Sequence, residues 1–229
     1  MNHDVYNYNA GTAGNTQNTV LRKTYGLLGL SFVPAAIGAV LSTTMGFNIF
    51  ALFGSQWVAL AVFFAFVYGM CFLIEKNRYS NTGVTLLMVF TFGMGVLISP
   101  LLQRTLGFSN GAELIGIAAA MTAGVFLTMS ALARRANVNT NSLSRFLAVG
   151  AVVLLIGMVA SWFLNIPALS LTVSAGFAIF SSLMIMWQVR TIIEGGETSH
   201  ISATLTIFIS IYNIFSSLLN ILGVFGGED

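Results

Sequence analysis

The side chains best suited by type to do chemistry lie close together, in the stretch Gln188 to His200, which reads QVRTIIEGGETSH. Arg190, Glu194, Glu197 and His200 put a guanidinium, two carboxylates and an imidazole into one short polar segment. Such a set suits a proton-sensitive gate or a partner-docking site, because histidine changes charge in the physiological range. Gly195 and Gly196 sit in its middle and give it the character of a hinge. The plainer reading of the same residues is an ordinary polar loop. Glu197 then stands near the start of the next helix, where the helix dipole favours a negative charge.

An apolar run from Ile201 to Gly223 follows at once. It is long enough to cross a bilayer as a helix, which takes about 20 residues. The run carries Thr206, Ser210, Asn213, Ser217 and Asn220, alternately four and three positions apart, and that spacing places them on one helical stripe. A polar stripe is expected to face other helices or a water-filled cavity rather than lipid. Interhelical hydrogen bonding and a solute path are the two roles open to it. The run therefore reads as the inner, central helix of a bundle.

The rest of the chain offers little catalytic chemistry. It has no HExxH, no GxSxG and no Gly-rich phosphate loop with its Lys-Ser/Thr. Glu113 falls at the outer end of an apolar run, and Glu75, Lys76 and Arg78 read as a short solvated loop. The single cysteine, Cys71, lies inside an apolar run and has no disulfide partner in the chain; His3 and His200 are far apart and no Cys/His metal spacing occurs. The expectation is a non-enzyme with no metal and no cofactor. The basic residues flank apolar runs and are accounted for by topology, which leaves nucleic-acid binding without support.

Composition supplies the frame. Charged residues make up 7% of the chain and hydrophobic ones 56%, whereas a soluble domain is about a quarter charged. The expected fold is an all-α, seven-span membrane bundle whose partner is the lipid bilayer. The spans are expected at about 25–45, 50–74, 84–102, 112–132, 146–164, 169–187 and 201–223. The first contains Pro34, which predicts a kink. Asn165-Ile166-Pro167-Ala168 predicts a tight turn between antiparallel fifth and sixth helices. Residues 1–22 form a polar tail expected to be disordered, 23–223 the membrane domain, and 224–229 a short tail at the other end. The chain's start lacks the pattern of a signal peptide, so the first run is expected to remain as a span.

Arg22, Lys23, Lys76, Arg78, Arg134, Arg135, Arg145 and Arg190 fall on one side of this layout, and only Arg104 on the other. The positive-inside rule then places the N-terminus in the cytoplasm and the C-terminus outside. Gly116, Ala120, Gly124 and Thr128 recur every four residues in the fourth span, a pattern that lets helix backbones approach closely. They are expected to pack on a neighbouring helix of the same chain, with a homodimer face as the alternative. Gly26, Gly29 and Gly38 in the first span invite the same expectation.

The hinge Ile192-Ile193-Glu194-Gly195-Gly196-Glu197-Thr198, followed by Ser210-Ile211-Tyr212-Asn213-Ile214-Phe215, resembles the Bax inhibitor-1 family. Weaker echoes occur at Leu21-Arg22-Lys23-Thr24-Tyr25 and at 155–160. Within the family the chain looks most like the bacterial YccA-type branch, described as modulators of the FtsH membrane protease. The resemblance implies a seven-helix bundle in the bacterial inner membrane and a non-enzymatic role exerted on the FtsH protease complex. Many relatives carry an acid near the end of the sixth helix and another in the seventh, associated with pH-sensitive, calcium-permeable behaviour. Those positions fall here on Gln188 and Ser210. Neither titrates near neutral pH, so the shared-proton switch, which needs two repelling acids, has no equivalent at these positions. That departure weighs against the alternative reading, a pH-sensitive cation (calcium or proton) leak channel.

Overall fold

The chain folds as seven long helices, α1 (His3–Thr44), α2 (Gln56–Lys76), α3 (Asn81–Leu106), α4 (Gly111–Arg135), α5 (Thr140–Leu164), α6 (Pro167–Ile193) and α7 (His200–Phe225). One 3-10 turn, Ile49–Leu52, separates α1 from α2. The computed structural model describes residues 3–135 and 139–227, with side chains from residue 17 onward. Each helix contains a span long and apolar enough to cross a membrane, that of α1 being Gln17–Thr44. The protein is an all-α, multi-pass membrane protein.

Short polar side chains start the helices. Ser55 accepts from the Trp57 N–H, Ser80 from that of Gly83, Asn139 from those of Asn141 and Ser142, and Ser199 from that of Ser202. Each satisfies donors that a helix start leaves without an intrahelical partner. The turn between α5 and α6 is as tight as its sequence implies. Asn165 takes the left-handed conformation (φ 51°) that ends a helix, and Pro167 opens α6 at a position where no N–H is needed.

Three boundaries differ from expectation. The backbone of α1 is helical from His3, through the stretch expected to be an unstructured tail. No proline occurs before Pro34 to stop the span's helix from continuing backwards, and a helix bonds its own backbone whatever its side chains. The helix of the second span starts at Gln56 rather than Phe50, because Asn48 caps a separate 3-10 turn by accepting from the Phe50 N–H at 3.0 Å. At the far end α7 runs to Phe225, and the Gly226 carbonyl accepts from Asn110 Nδ2 at 2.6 Å, so the short terminal tail is partly tied down. Met1, Asn2, Glu228 and Asp229 lie outside the described residues.

Helix α7 is central. It packs against α1, α2, α3, α4 and α6. Ile201, Ala203, Ile207, Phe208, Ile214 and Leu219 on it are almost wholly buried. Helix α3 is a second inner helix, burying Leu87, Phe90, Met94 and Ile98. The Phe90 ring stacks on Phe66 at 5.9 Å and meets Phe208 edge-on at 6.4 Å. Helices α1 and α3 approach so closely that a Cβ at Gly38 would run into the Phe92 carbonyl, and one at Gly95 into that of Ala35.

The other small residues singled out by their spacing do not pack on a neighbouring helix of the same chain. Gly26, Gly29, Gly116, Ala120, Gly124 and Thr128 are exposed on the outside of the bundle. A Cβ added at any of these glycines would meet nothing within 4 Å. Helix α4 instead buries Leu114, Ala118, Thr122 and Ser130. The buried face of α4 is itself mostly small, with Leu114 its one bulky member, so small residues on two faces could each permit close approach and only one of them turns inward.

Contacts between distant segments gather the basic residues. Arg78 meets Glu197, Arg190 reaches the Ala133 carbonyl, and Lys23 lies beside His200. This is the basic end of the bundle. Arg104 lies at the opposite end, near Asn165 and Val224.

Candidate functional site

The α6–α7 connection is a built turn rather than a loose loop. The Gly195 N–H donates to the Ile192 carbonyl at 3.0 Å and the Gly196 N–H to that of Thr191 at 2.9 Å. These are the paired bonds of a Schellman cap, which requires a left-handed residue just past the helix. Gly195 supplies it with φ +79°, a conformation that disfavours any residue with a Cβ. The chain then runs to Ser199, the N-cap of α7.

The short α2–α3 connection clamps this turn. Arg78 forms an ion pair with Glu197 through one nitrogen and with Glu75 Oε2 at 3.2 Å through the other. Glu197 also accepts from the Ser199 N–H at 2.7 Å, and its side chain is only 13% exposed. Ser199 Oγ donates to the Arg78 carbonyl at 2.6 Å, and Ser202 Oγ to Glu75 Oε2 at 2.9 Å. Tyr79 and Thr198 share a hydroxyl–hydroxyl bond of 2.9 Å. Glu75 and Arg78 are therefore parts of the site, not the solvated loop expected of them. Their role is invisible in sequence because the partners lie about a hundred residues away; the only signal was opposite charge on two short loops at one end.

A second anchor holds the end of α6. Arg190 Nε donates to Glu194 Oε1 at 2.7 Å, and Thr140 Oγ1 donates to Glu194 Oε2 at 2.9 Å. The Arg190 bond foremost, then that from Thr140, keeps the Glu194 carboxyl below its ordinary range. Arg190 also reaches the Ala133 carbonyl at 3.5 Å, linking α6 to α4. His200, at the start of α7, is half-buried and has Lys23 as its charged neighbour.

The polar stripe of α7 divides along its length. Ser210 is buried, and its hydroxyl donates to the Thr206 carbonyl of its own helix at 2.8 Å. Beyond it, Asn213, Ser217 and Asn220 line a cavity of about 800 Å³ bounded by α2, α3, α5, α6 and α7. Asn220 Nδ2 donates across to α6, to Ser174 Oγ at 2.9 Å and Ser170 Oγ at 3.3 Å. Ser216, also on the cavity wall, was not expected from the stripe. The cavity reaches from Cys71 to Arg104, and its walls are otherwise mostly Phe, Leu, Ile, Val and Met. Among the described residues no carboxylate lines it, and Arg104 is the charged group on its wall. Gln188 is buried on α6, and neither Gln188 nor Ser210 lines the cavity.

This arrangement can hold two helices in a fixed relation at one end and accommodate polar solutes or water along a seam at the other. Among the described residues, no three His, Cys, Asp or Glu side chains are grouped to hold a metal ion.

Comparison with known proteins agrees with the architecture. The profile of the family described as "Inhibitor of apoptosis-promoting Bax1" matches residues 17–227. An uncharacterized protein of Neisseria meningitidis serogroup A is 67% identical over the full length of both chains. An uncharacterized protein of Pseudomonas aeruginosa is 39% identical, again over the full length of both. A protein of Escherichia coli K12 named "Modulator of FtsH protease YccA" is 39% identical over 89% of each chain. With the family profile covering nearly the whole bundle, from the first span through the clamped turn to the end of α7, this chain belongs to the Bax inhibitor-1 family.

Proposed function

We propose that this protein is a non-enzymatic regulator in the bacterial inner membrane that binds the FtsH protease complex and moderates its turnover of membrane proteins. The observation that carries this reading is the 39% identity, over 89% of both chains, to the Escherichia coli modulator of that protease. The Schellman cap, the Arg78 clamp and the close α1–α3 packing support it, because they describe a body that resists being pulled apart. In this reading the basic end faces the cytoplasm, as the positive-inside rule expects, and the N-terminal segment reaches toward the protease there. The protein then occupies the protease without yielding readily to it, and other substrates wait.

The test is retrieval of FtsH with a tagged copy of the full chain from membranes in mild detergent, alongside turnover of a reporter membrane substrate. Overproduction is expected to lengthen the reporter's lifetime. A form lacking 2–16 keeps Gln17, whose side chain lies against Gly195. It is expected to insert normally, persist longer and lose most of its effect on the reporter. Failure to retrieve the protease, with reporter lifetime unchanged, overturns the reading. A reporter fused to the C-terminus that is active only in the cytoplasm overturns the orientation.

A further inference from the structure

We infer that the groove between α1 and α4 at the basic end is a binding site for an anionic phospholipid, its phosphate held by Arg134 and Arg135 and one acyl chain laid along Gly29. The groove encloses about 540 Å³. Its walls are apolar, with Leu28 and Phe32 from α1 and Phe126 and Leu127 from α4. Leu127 is 65% exposed and Phe32 40%, so the groove opens sideways, where the bilayer surrounds the bundle. The floor is open at Gly29, where a Cβ would meet nothing within 4 Å.

Two polar groups lie in this apolar setting with no hydrogen-bond partner among the described residues: the Tyr25 hydroxyl and the Ser130 hydroxyl. Ser130 is 7% exposed, and the Tyr25 ring is held edge-on against Phe126 at 5.9 Å. Buried hydroxyls are nearly always satisfied, and an orphan is a sign of a missing partner. The groove beside them opens toward the membrane, and a lipid oxygen is an acceptor of the kind they lack. Lipid ester and phosphate oxygens are acceptors at the matching depth, just inside the headgroup layer.

Charge completes the fit. Arg134 and Arg135 close the groove at the end of α4, both are exposed, and neither forms an ion pair among the described residues. Arg22 precedes Tyr25 by three positions and Gly29 by seven, on the same stripe of α1. Basic pockets between transmembrane helices near the headgroup layer suit anionic headgroups. A zwitterionic lipid would supply the acyl chain but not the net charge. A bound lipid would couple α1 to α4.

The test is native mass spectrometry of the full-length protein in mild detergent with dioleoylphosphatidylglycerol or dioleoylphosphatidylcholine. The wild type is expected to retain the glycerol lipid selectively. Arg134→Gln with Arg135→Gln is expected to weaken that retention roughly thirtyfold, from about 1 kcal/mol for each of the two charges near the surface, and to weaken that of the choline lipid much less. Gly29→Leu, which fills the floor, is expected to weaken both. Leu127→Trp narrows the mouth from an outward position and is expected to do the same, should the first variant fold poorly. Excess glycerol 3-phosphate is expected not to displace the lipid, since it lacks the chain. Equal retention of the two lipids by the wild type, undiminished retention in the arginine variant, or displacement by the free phosphate would each overturn the site.

Discussion

Arg78 and Glu197, separated by 119 positions in the chain, form an ion pair that joins the α2–α3 turn to the start of α7. The pair is neither a solvated surface contact nor a fully buried one: the arginine side chain is 31% exposed and the glutamate 13%. Glu197 gains two further constraints, the Ser199 N–H and its place next to the Schellman cap of α6. With the Ser199–Arg78 and Tyr79–Thr198 bonds it fastens the two connections together.

A double-mutant cycle measures that fastener. Arg78→Gln and Glu197→Gln are each expected to lower thermal stability in detergent, by about 1–3 kcal/mol, because each leaves a partly buried partner without its charge. The double variant is expected to lose less than the sum, with a coupling of about 1 kcal/mol. Strict additivity would reduce the pair to two unrelated contacts. Arg78→Lys is expected to rescue only in part, since one ammonium does not replace a fork that reaches Glu75 and Glu197 together.

The seam at the other end makes a separate prediction. Asn220→Leu removes both cross-helix bonds to Ser170 and Ser174. Hydrogen bonds of this kind in membranes contribute on average about 0.6 kcal/mol and reach roughly 1.7. The variant is expected to melt earlier yet insert normally. Asn213→Leu, which lines the cavity without such a cross-helix bond, is expected to change stability less. Equal shifts for the two would remove the distinction between a seam that fastens helices and a wall that only faces a cavity.

The legible and illegible parts of this fold divide along a physical line. Span count, the Asn165-Pro167 turn and the central place of α7 depend on local patterns, which the chain carries in full: apolar length, a left-handed Asn before a proline, a polar stripe on a long apolar helix. The clamp depends on pairing between distant turns, and nothing local in Glu75 or Arg78 announces a partner. The outward glycines of α4 illustrate a further limit. Helical spacing tells which residues share a face, but which face turns inward is decided by the neighbouring helices, here α6 and α7, against which α4 packs. The stripe of α7 is one face by spacing yet two environments in space, because Ser210 lies off the cavity that Asn213, Ser217 and Asn220 line.

Acid should loosen the α6 anchor. Glu194 is held below its ordinary value of 4.5 by Arg190 and Thr140, so the unfolded chain takes up a proton there before the folded one does. Its contribution is fully present above that ordinary value and is lost as pH falls through the lowered one. The melting temperature of the wild type is expected to drop more steeply on the acid side than that of Glu194→Gln, with parallel curves near neutral pH. The carboxylate is partly solvated, so the effect is modest. Identical acid limbs would show that Arg190 and Thr140 do no more than touch it.

Ion flux is where the structure and the alternative reading meet most directly. A cation crossing the bilayer needs a path whose polar groups replace its hydration and whose charges do not repel it. The cavity supplies hydroxyls and amides from α6 and α7, but among the described residues its lining has no carboxylate and it carries the positive Arg104. The positions of the family's acid pair hold Gln188 and Ser210, both buried off that cavity, and Ser210 spends its proton on its own helix. The purified protein in liposomes is therefore expected to pass calcium no faster at mildly acid pH than at neutral pH. Arg104→Gln tests whether the positive mouth alone holds cations back; with no acid in the wall, flux is expected to stay low. If these two positions adjoin as the family resemblance implies, Gln188→Asp together with Ser210→Asp is expected to introduce pH dependence, since two adjacent acids raise one pKa. A wild-type flux that changes sharply between about pH 6 and 8, where histidine titrates, would overturn this expectation and turn attention to His200, the histidine at the start of the central helix.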